Sequence, residues 1–386
     1  MTLRQATRAL LLATALTHAS YAAVRPMASY RAIELHAGNA GIGALSASFS
    51  VLPLLLAFTV GRQADQYGPA RLVVAGSVLS TVAGVLTALA NHLAVLLVAS
   101  ALLGLGQLTS LAGQQSAVAA GRAEDRDRGF GILTAMAAVG QIVGPVLGAL
   151  CASHFAVTGD VFSATAGLAA ATVLSALSLP LCWWLFPDTT ARAEQRPRER
   201  VARELLRIPG MTPTLVAGGL VLAALDLVLA FLPAWAQNRG VSLTTVGLLL
   251  ALRAAATLLV RLIVDRVVHQ VGRRIAMIVS ILVAAAGLLL LPAVHVAGAI
   301  AVMLALGVGL GVAQPLTMSW VANAVRPGRH GAAMGLRLTG NRFAQTVLPL
   351  GIGVISTGAA GVFVTLGTVL AASSAVLLRL PPDRGG

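Results

Sequence analysis

The sequence predicts an all-helical membrane protein in which twelve transmembrane helices form two pseudo-symmetric six-helix bundles. Three observations carry this: the composition, the length of the apolar runs, and a duplication across the middle of the chain. Of 386 residues, 57% are hydrophobic and only 10% are charged. The mean hydropathy is +0.87, which leaves too little polar surface for a water-soluble protein. The apolar runs are about 20 residues long, the length a helix needs to cross the hydrocarbon core of a bilayer. Backbone polar groups cannot face lipid unpaired, so each run is read as a helix.

The runs fall near 8–29, 41–61, 72–91, 93–119, 129–153, 161–186, 212–236, 243–264, 275–294, 296–322, 332–355 and 359–379. In the first, Arg4 and Arg8 precede an apolar stretch ending in small residues, a pattern shared with secretory leaders. Eleven further spans make a cleaved leader unnecessary, so it is read as span one. A polar turn with Gly68 separates spans two and three, and span four carries the pair Gly104 and Gly106. Span five carries glycines every fourth residue. Span six ends at Trp183 and Trp184, and the other tryptophans, Trp235 and Trp320, also sit near span ends, where amphipathic rings prefer the interface. The longest polar stretch, 187–210, is bounded by Pro187 and Pro209 and has room for a short surface helix over 198–208. It is read as a cytoplasmic linker between a first bundle, 1–186, and a second, 211–386. Cys151 and Cys182 fall in spans five and six, away from any histidine cluster, and suggest neither disulfide nor metal.

The net charge of +14 is a topology signal rather than a nucleic-acid footprint. With both termini cytoplasmic, Arg4, Arg8, Arg62, Arg71, Arg122, Arg126 and Arg128 lie inside, as do the linker arginines, Arg261, Arg266, Arg273, Arg274, Arg326, Arg329, Arg379 and Arg384. Only Arg31 and Arg239 fall clearly in outside loops, as the positive-inside bias requires. A bacterial inner-membrane protein is expected, monomeric, with the lipid bilayer and no nucleic acid as its surroundings.

The halves resemble each other. GILTAMAAVGQIVGPVLG in span five aligns with GLRLTGNRFAQTVLPLGI in span eleven, placing Gly131, Gln141 and Pro145 on Gly335, Gln345 and Pro349. Asp65 after span two has a counterpart in Asp265 after span eight, and Gly104 and Gly106 pair with Gly309 and Gly311. Parallel repeats of this kind place a substrate site between the halves. The loop GRQADQYGPAR (Gly61, Asp65, Gly68, Arg71) resembles motif A of the major facilitator superfamily. RLIVDRVVHQVGRR (Asp265, Arg266) resembles a degraded copy, with extra residues before the glycine. GQIVGPVLGA (Gly140, Gly144, Pro145, Gly148) resembles the family's motif C, which marks its proton-coupled antiporters. The resemblance covers essentially the whole chain. It implies an alternating-access transporter, with the motif A carboxylates as a gating latch. A plain loop salt bridge is the other reading of Asp65. Span four lacks the arginine that proton-coupled drug exporters of the superfamily usually carry in motif B.

Charges inside the spans mark the candidate site. Asp226 is the one acidic residue deep in a span, with Arg253 and Arg342 at a similar level on spans eight and eleven. Each such charge costs about 2.5–3.5 kcal/mol unless it faces protein or water. They should therefore face a shared interior. The family places spans three, six, nine and twelve at the lipid-facing periphery, and none of these has an ionisable residue at mid-depth. Arg337, Asn341 and Gln345 form one polar face of span eleven, and Gln314 lies in span ten. The first half offers His18, Tyr21, Gln107 and Gln114, with Arg25 either in the cavity or at its external mouth. Two readings compete: a buried ionic network fixing helix register, or a site where Asp226, with His18 as second candidate, exchanges protons and an arginine anchors substrate. Two arginines against one carboxylate favour an anionic substrate.

The leading expectation is proton-coupled export of a small organic compound, with a proton-coupled importer of an organic acid as the alternative. A receptor on a transporter fold would need a signalling domain that is not visible. No nucleophile–base pair, phosphate-binding loop or metal-ligand cluster suggests an enzyme, and neither cofactor nor metal is expected.

Overall fold

A computed structural model of the chain describes residues 3–119, 126–155, 163–183, 199–325 and 330–378. The surroundings of Gly61, the side chains of Asp65, Asp265 and Cys182, and all of Arg122, Trp184, residues 187–198, Arg326, Arg329, Arg379 and Arg384 lie outside the described residues. The described chain is helical, and among these residues there are thirteen helices. The first bundle contains α1 (Leu3–Glu34), α2 (Asn39–Tyr67), α3 (Pro69–Ala88), α4 (Leu93–Ala119), α5 (Arg126–His154) and α6 (Ala164–Trp183). A short α7 (Glu199–Leu206) follows. The second bundle contains α8 (Met211–Gln237), α9 (Leu243–Val271), α10 (Arg273–Leu290), α11 (Val296–Asn323), α12 (His330–Ile355) and α13 (Gly358–Leu377).

Ten of these helices are long and apolar enough to cross a membrane. The two remaining long helices, α1 and α12, fall short in apolarity. They are also the helices that carry Arg25, Arg337 and Arg342 into the interior. Their polarity is spent inside the protein, where the bundle rather than lipid surrounds it.

The packing repeats between the halves. Helix α1 packs on α5 and α6, as α8 packs on α12 and α13. Helix α4 packs on α2 and α3, as α11 packs on α9 and α10, while α6 covers α3 as α13 covers α10. The turns agree in detail. Gly68, between α2 and α3, has φ 83° and ψ 153°, and Gly272, between α9 and α10, has φ 81° and ψ 153°. Only glycine adopts such angles without strain, so the two motif A glycines are equivalent. Asp65 stands three residues before its glycine and Asp265 seven, so Asp265 sits one helical turn deeper than a strict copy would. The span-four glycines pair differently from the sequence alignment. A Cβ on Gly104 would strike Phe49 of α2, and one on Gly307 would strike Arg253 of α9. Gly106 faces α3, and Gly309 faces α10. The counterparts are therefore Gly307 and Gly309, not Gly309 and Gly311. One-dimensional alignment slipped by two residues because this helix is glycine-rich.

Helices α3, α6, α10 and α13 form the periphery. Val78, Val82, Val85, Val173, Leu177, Ile275, Val279 and Leu282 are exposed on them, apolar surface that suits lipid contact. Helix α8 is the most enclosed of the ten apolar helices, with 72% of its span buried. Helix α7 is not a free connector. Its Leu205 is buried against Met211, Leu215, Val321, Val325 and Ala333, which ties it to the second bundle.

The halves meet through α2 with α12 and α5 with α9, and through α8 with α1 and α2. Both ends of the described chain and α7 lie on one face, here the near face; the opposite is the far face. A Cβ on Gly43 of α2 would come within 2.4 Å of the Pro349 carbonyl of α12. One on Gly247 of α9 would come within 2.7 Å of the Pro145 carbonyl of α5. Asn39 Nδ2 donates to the Ser356 carbonyl at 3.1 Å, and the Ser153 and Thr244 hydroxyls are 3.2 Å apart. All four contacts lie toward the far ends of their helices, so the halves are closed together on the far face.

Candidate functional site

The centre of the molecule is built on Asp226. Its helix, α8, carries it midway between the two faces, and only 1% of the residue is exposed. From the first bundle, Arg25 Nη2 lies 3.4 Å from Asp226 Oδ1 and also donates to the Asp226 backbone carbonyl at 3.4 Å and to Ser46 Oγ at 3.3 Å. Tyr21, one turn away on α1, donates its hydroxyl to Asp226 Oδ1 at 3.4 Å. From the second bundle, Gln345 Nε2 donates to Asp226 Oδ2 at 2.8 Å, and Arg342 Nη1 donates to Gln345 Oε1 at 3.3 Å. The carboxylate thus joins the two halves. The Arg25 guanidinium also stacks 4.6 Å from the Phe49 ring centroid, a contact that favours a cation held out of water.

This corrects the expected partners. Sequence reasoning set Asp226 against Arg253 and Arg342; its ion pair is with Arg25, and Arg342 acts through Gln345. Arg25 is 6% exposed and lies within the protein, not at an external mouth. The pairing spans 201 positions and both halves of the duplication, so nothing local in the sequence could reveal it.

A second polar group lies nearer the near face, in the second bundle. Arg337 Nη2 donates to the Gln314 carbonyl at 3.2 Å and to Thr317 Oγ1 at 3.4 Å, and Arg261 Nη2 donates to Gln314 Oε1. Arg261 was counted with the cytoplasmic arginines, at the inner end of span eight (243–264). It lies inside α9, well before the helix ends at Val271, because the apolar register LLVRLIV continues through it. Asn341, 3% exposed, has both side-chain polar atoms unpartnered. The Nε atoms of Arg253, Arg261 and Arg337 are likewise without an acceptor. Ser46, Phe49, Thr317 and Arg261 were missed as site residues. Of these only Arg261 carried a signal, a charge interrupting an apolar run.

His18, Gln107 and Gln114 line a crevice in the first bundle with Thr17, Ser110 and Ser175, which meets the centre only through Tyr21. His18 Nδ1 is 3.0 Å from the Thr14 carbonyl of its own helix, and Gln114 Nε2 donates to Thr17 and Ser110 hydroxyls at 3.1 Å. The structure does not bring His18 to Asp226. The glycine stripe of α5 packs on α1: a Cβ on Gly140 would lie 2.3 Å from the Ala15 carbonyl, and one on Gly144 2.2 Å from the Ala19 carbonyl. Gly148 faces Ala23 and Met27. Pro145, on the same helix, serves the contact with α9. Among motif A residues, Arg71 and Arg266 are exposed at the near face.

Two symmetry-related helical bundles enclosing a buried charged centre define a membrane transporter rather than an enzyme. The Major Facilitator Superfamily model matches residues 10–235 and 214–386, and the chain belongs to that superfamily as a multi-pass membrane protein. Its fold is similar to that of the nucleoside transporter NupG, with a TM-score of 0.77, 16% identity, and coverage of 96% of this chain and 97% of that one. It is also similar to the peptide transporter POT in complex with sulfate (TM-score 0.76, 15% identity, 97% and 94% coverage). A bacterial homolog of the human lysosomal transporter Spinster, inward-facing and occupied, matches with a TM-score of 0.70 at 14% identity, over 96% and 94% of the two chains. At these identities the likeness is one of fold. No curated protein sequence matches the chain.

Proposed function

We propose that this transporter moves a small organic anion together with a proton, working by alternating access in a bacterial inner membrane as a monomer, with the near face cytoplasmic. The observation that carries the reading is the charge imbalance in the interior. Arg25, Arg253, Arg261, Arg337 and Arg342 are buried or half-buried there, against one described buried carboxylate, Asp226. An anion offsets that excess. The ion pair sets the coupling: ionised Asp226 holds Arg25, and a proton on Asp226 releases it to bind an anion. Proton and anion therefore favour each other's binding, and by linkage each raises the affinity for the other by the same factor. Co-binding of this kind is symport. The arginine bias of the loops supports a cytoplasmic near face.

Export by antiport is the second reading, favoured by the glycine stripe of α5 that resembles motif C. The two readings differ in the sign of proton movement. In proteoliposomes offered a panel of mono- and dicarboxylates, symport makes the external medium more alkaline as the anion enters; acidification would establish antiport instead. Asp226→Asn should abolish proton movement while preserving anion exchange. Full proton coupling in that variant would remove Asp226 from the mechanism.

A further inference from the structure

We infer that the second bundle contains a receptor for a doubly charged oxyanion, adjoining the Asp226 centre and formed by Arg253, Arg261, Gln314, Thr317, Arg337 and Asn341. The inference rests on the anion-transport reading and adds the substrate's charge and its place.

Helix α12 presents Arg337, Asn341 and Gln345 at intervals of four residues, one face of the helix. The rungs have different fates. Gln345 is committed to Asp226, and Arg337 reaches α11. Asn341, between them, has a buried donor and a buried acceptor with no partner. A buried polar atom without a hydrogen-bond partner is costly, so a side chain left in this state marks a ligand position. Gly218 of α8 packs closely on this pair: a Cβ there would lie 3.3 Å from Thr317 Oγ1 and 3.6 Å from Asn341 Oδ1, so only a glycine leaves the two polar groups uncrowded.

The charge of the ligand follows from the guanidiniums. Arg261 and Arg337 approach Gln314 from two helices, one at the side-chain oxygen and one at the backbone carbonyl. An amide carries no net charge to hold two cations together. Arg253, two turns from Arg261 on α9 and 4% exposed, makes no hydrogen bond among the described residues. All three have a buried Nε–H without an acceptor. Three guanidiniums at low dielectric repel one another, and planar N–H forks are suited to phosphate or carboxylate oxygens. A single negative charge leaves a large excess; a phosphoryl group or a pair of carboxylates matches it better. Asn341 then contacts a neutral hydroxyl or amide of the same ligand. Along α9 and α12, Arg261 and Arg337 lie nearer the near face than Arg253 and Asn341.

Calorimetric titration of the purified full-length protein in detergent, at constant ionic strength, tests this with succinate, inorganic phosphate and acetate as probes. At least one dianion should bind saturably and at least tenfold more tightly than acetate. Arg337→Gln and Arg261→Gln should each weaken that binding tenfold or more, and neither should lower the melting temperature, because each removes a repelling charge. Equal affinity for acetate and both dianions, absence of dianion binding, or a loss of binding that accompanies a loss of folding in both variants would overturn the receptor. The proton movement measured in vesicles depends on Asp226, so that reading can stand when this one falls.

Discussion

Asp226 and Arg25 hold each other at a depth where neither is easily left alone. Removing one side of a buried pair costs about 3–5 kcal/mol, largely because the remaining charge loses its partner. Arg25→Gln should therefore lower the melting temperature in detergent, and adding Asp226→Asn to that variant should recover much of the loss. Additive losses in the double variant would show that the pair is not coupled. The carboxylate was legible in the sequence because a charge inside an apolar run stands out. Its partner was not, since Arg25 lies near the outer end of its run and distance along the chain says nothing about contact across the two halves. Arg261 was counted among the cytoplasmic arginines for a related reason: arginine is frequent at the near ends of these helices, and its hydrogen bond to Gln314 of α11 is what marks it as an interior one.

Glycine spacing gave a reliable account of the helices but not of their neighbours. The stripe at Gly140, Gly144 and Gly148 indicated a close helix contact, and the partner is α1 of the same bundle, whose backbone sits where side chains would otherwise be. Gly144→Leu should force α1 and α5 apart and destabilise the protein by about 1–3 kcal/mol or more, the usual effect of overpacking. Gly340 on α12 is the contrast, because a Cβ there meets nothing within 4 Å. Gly340→Ala should leave the melting temperature unchanged or slightly raised, as alanine is the better helix former. Equal melting temperatures for both variants would mean that the stripe is spacing without packing. The two-residue slip in pairing α4 with α11 has a similar origin: in glycine-rich helices several registers align equally well, and only the contacts choose among them.

Hydropathy and duplication made the all-helical, internally repeated fold readable, and the resemblance to the superfamily implied the peripheral position of α3, α6, α10 and α13. The face on which the halves are closed was not readable, since one sequence serves every state of an alternating-access cycle. That state rests on Gly43 against Pro349 and Gly247 against Pro145. These positions are related by the duplication, so each half contributes one glycine and one proline. Gly43→Val should wedge the far face open and shift the population toward far-open molecules, measured by spin-label distances across that face. Gly247→Val should do the same. Unchanged distances in both variants would mean that the closed state is held elsewhere.

The far-face contacts share a property that separates them from the centre below. They consist of backbone carbonyls, glycine Cα surfaces, hydroxyls and one amide, with no ionisable atom among them. Ionic strength acts on exposed charges and hardly at all on uncharged contacts. The rate at which the far face opens should therefore be flat from dilute buffer to molar sodium chloride. Capture of an anion by the arginines should weaken steeply over the same range. Salt thus offers a way to slow loading without touching the gate, and a kinetic trace recorded across a salt series should divide into one phase that moves and one that does not.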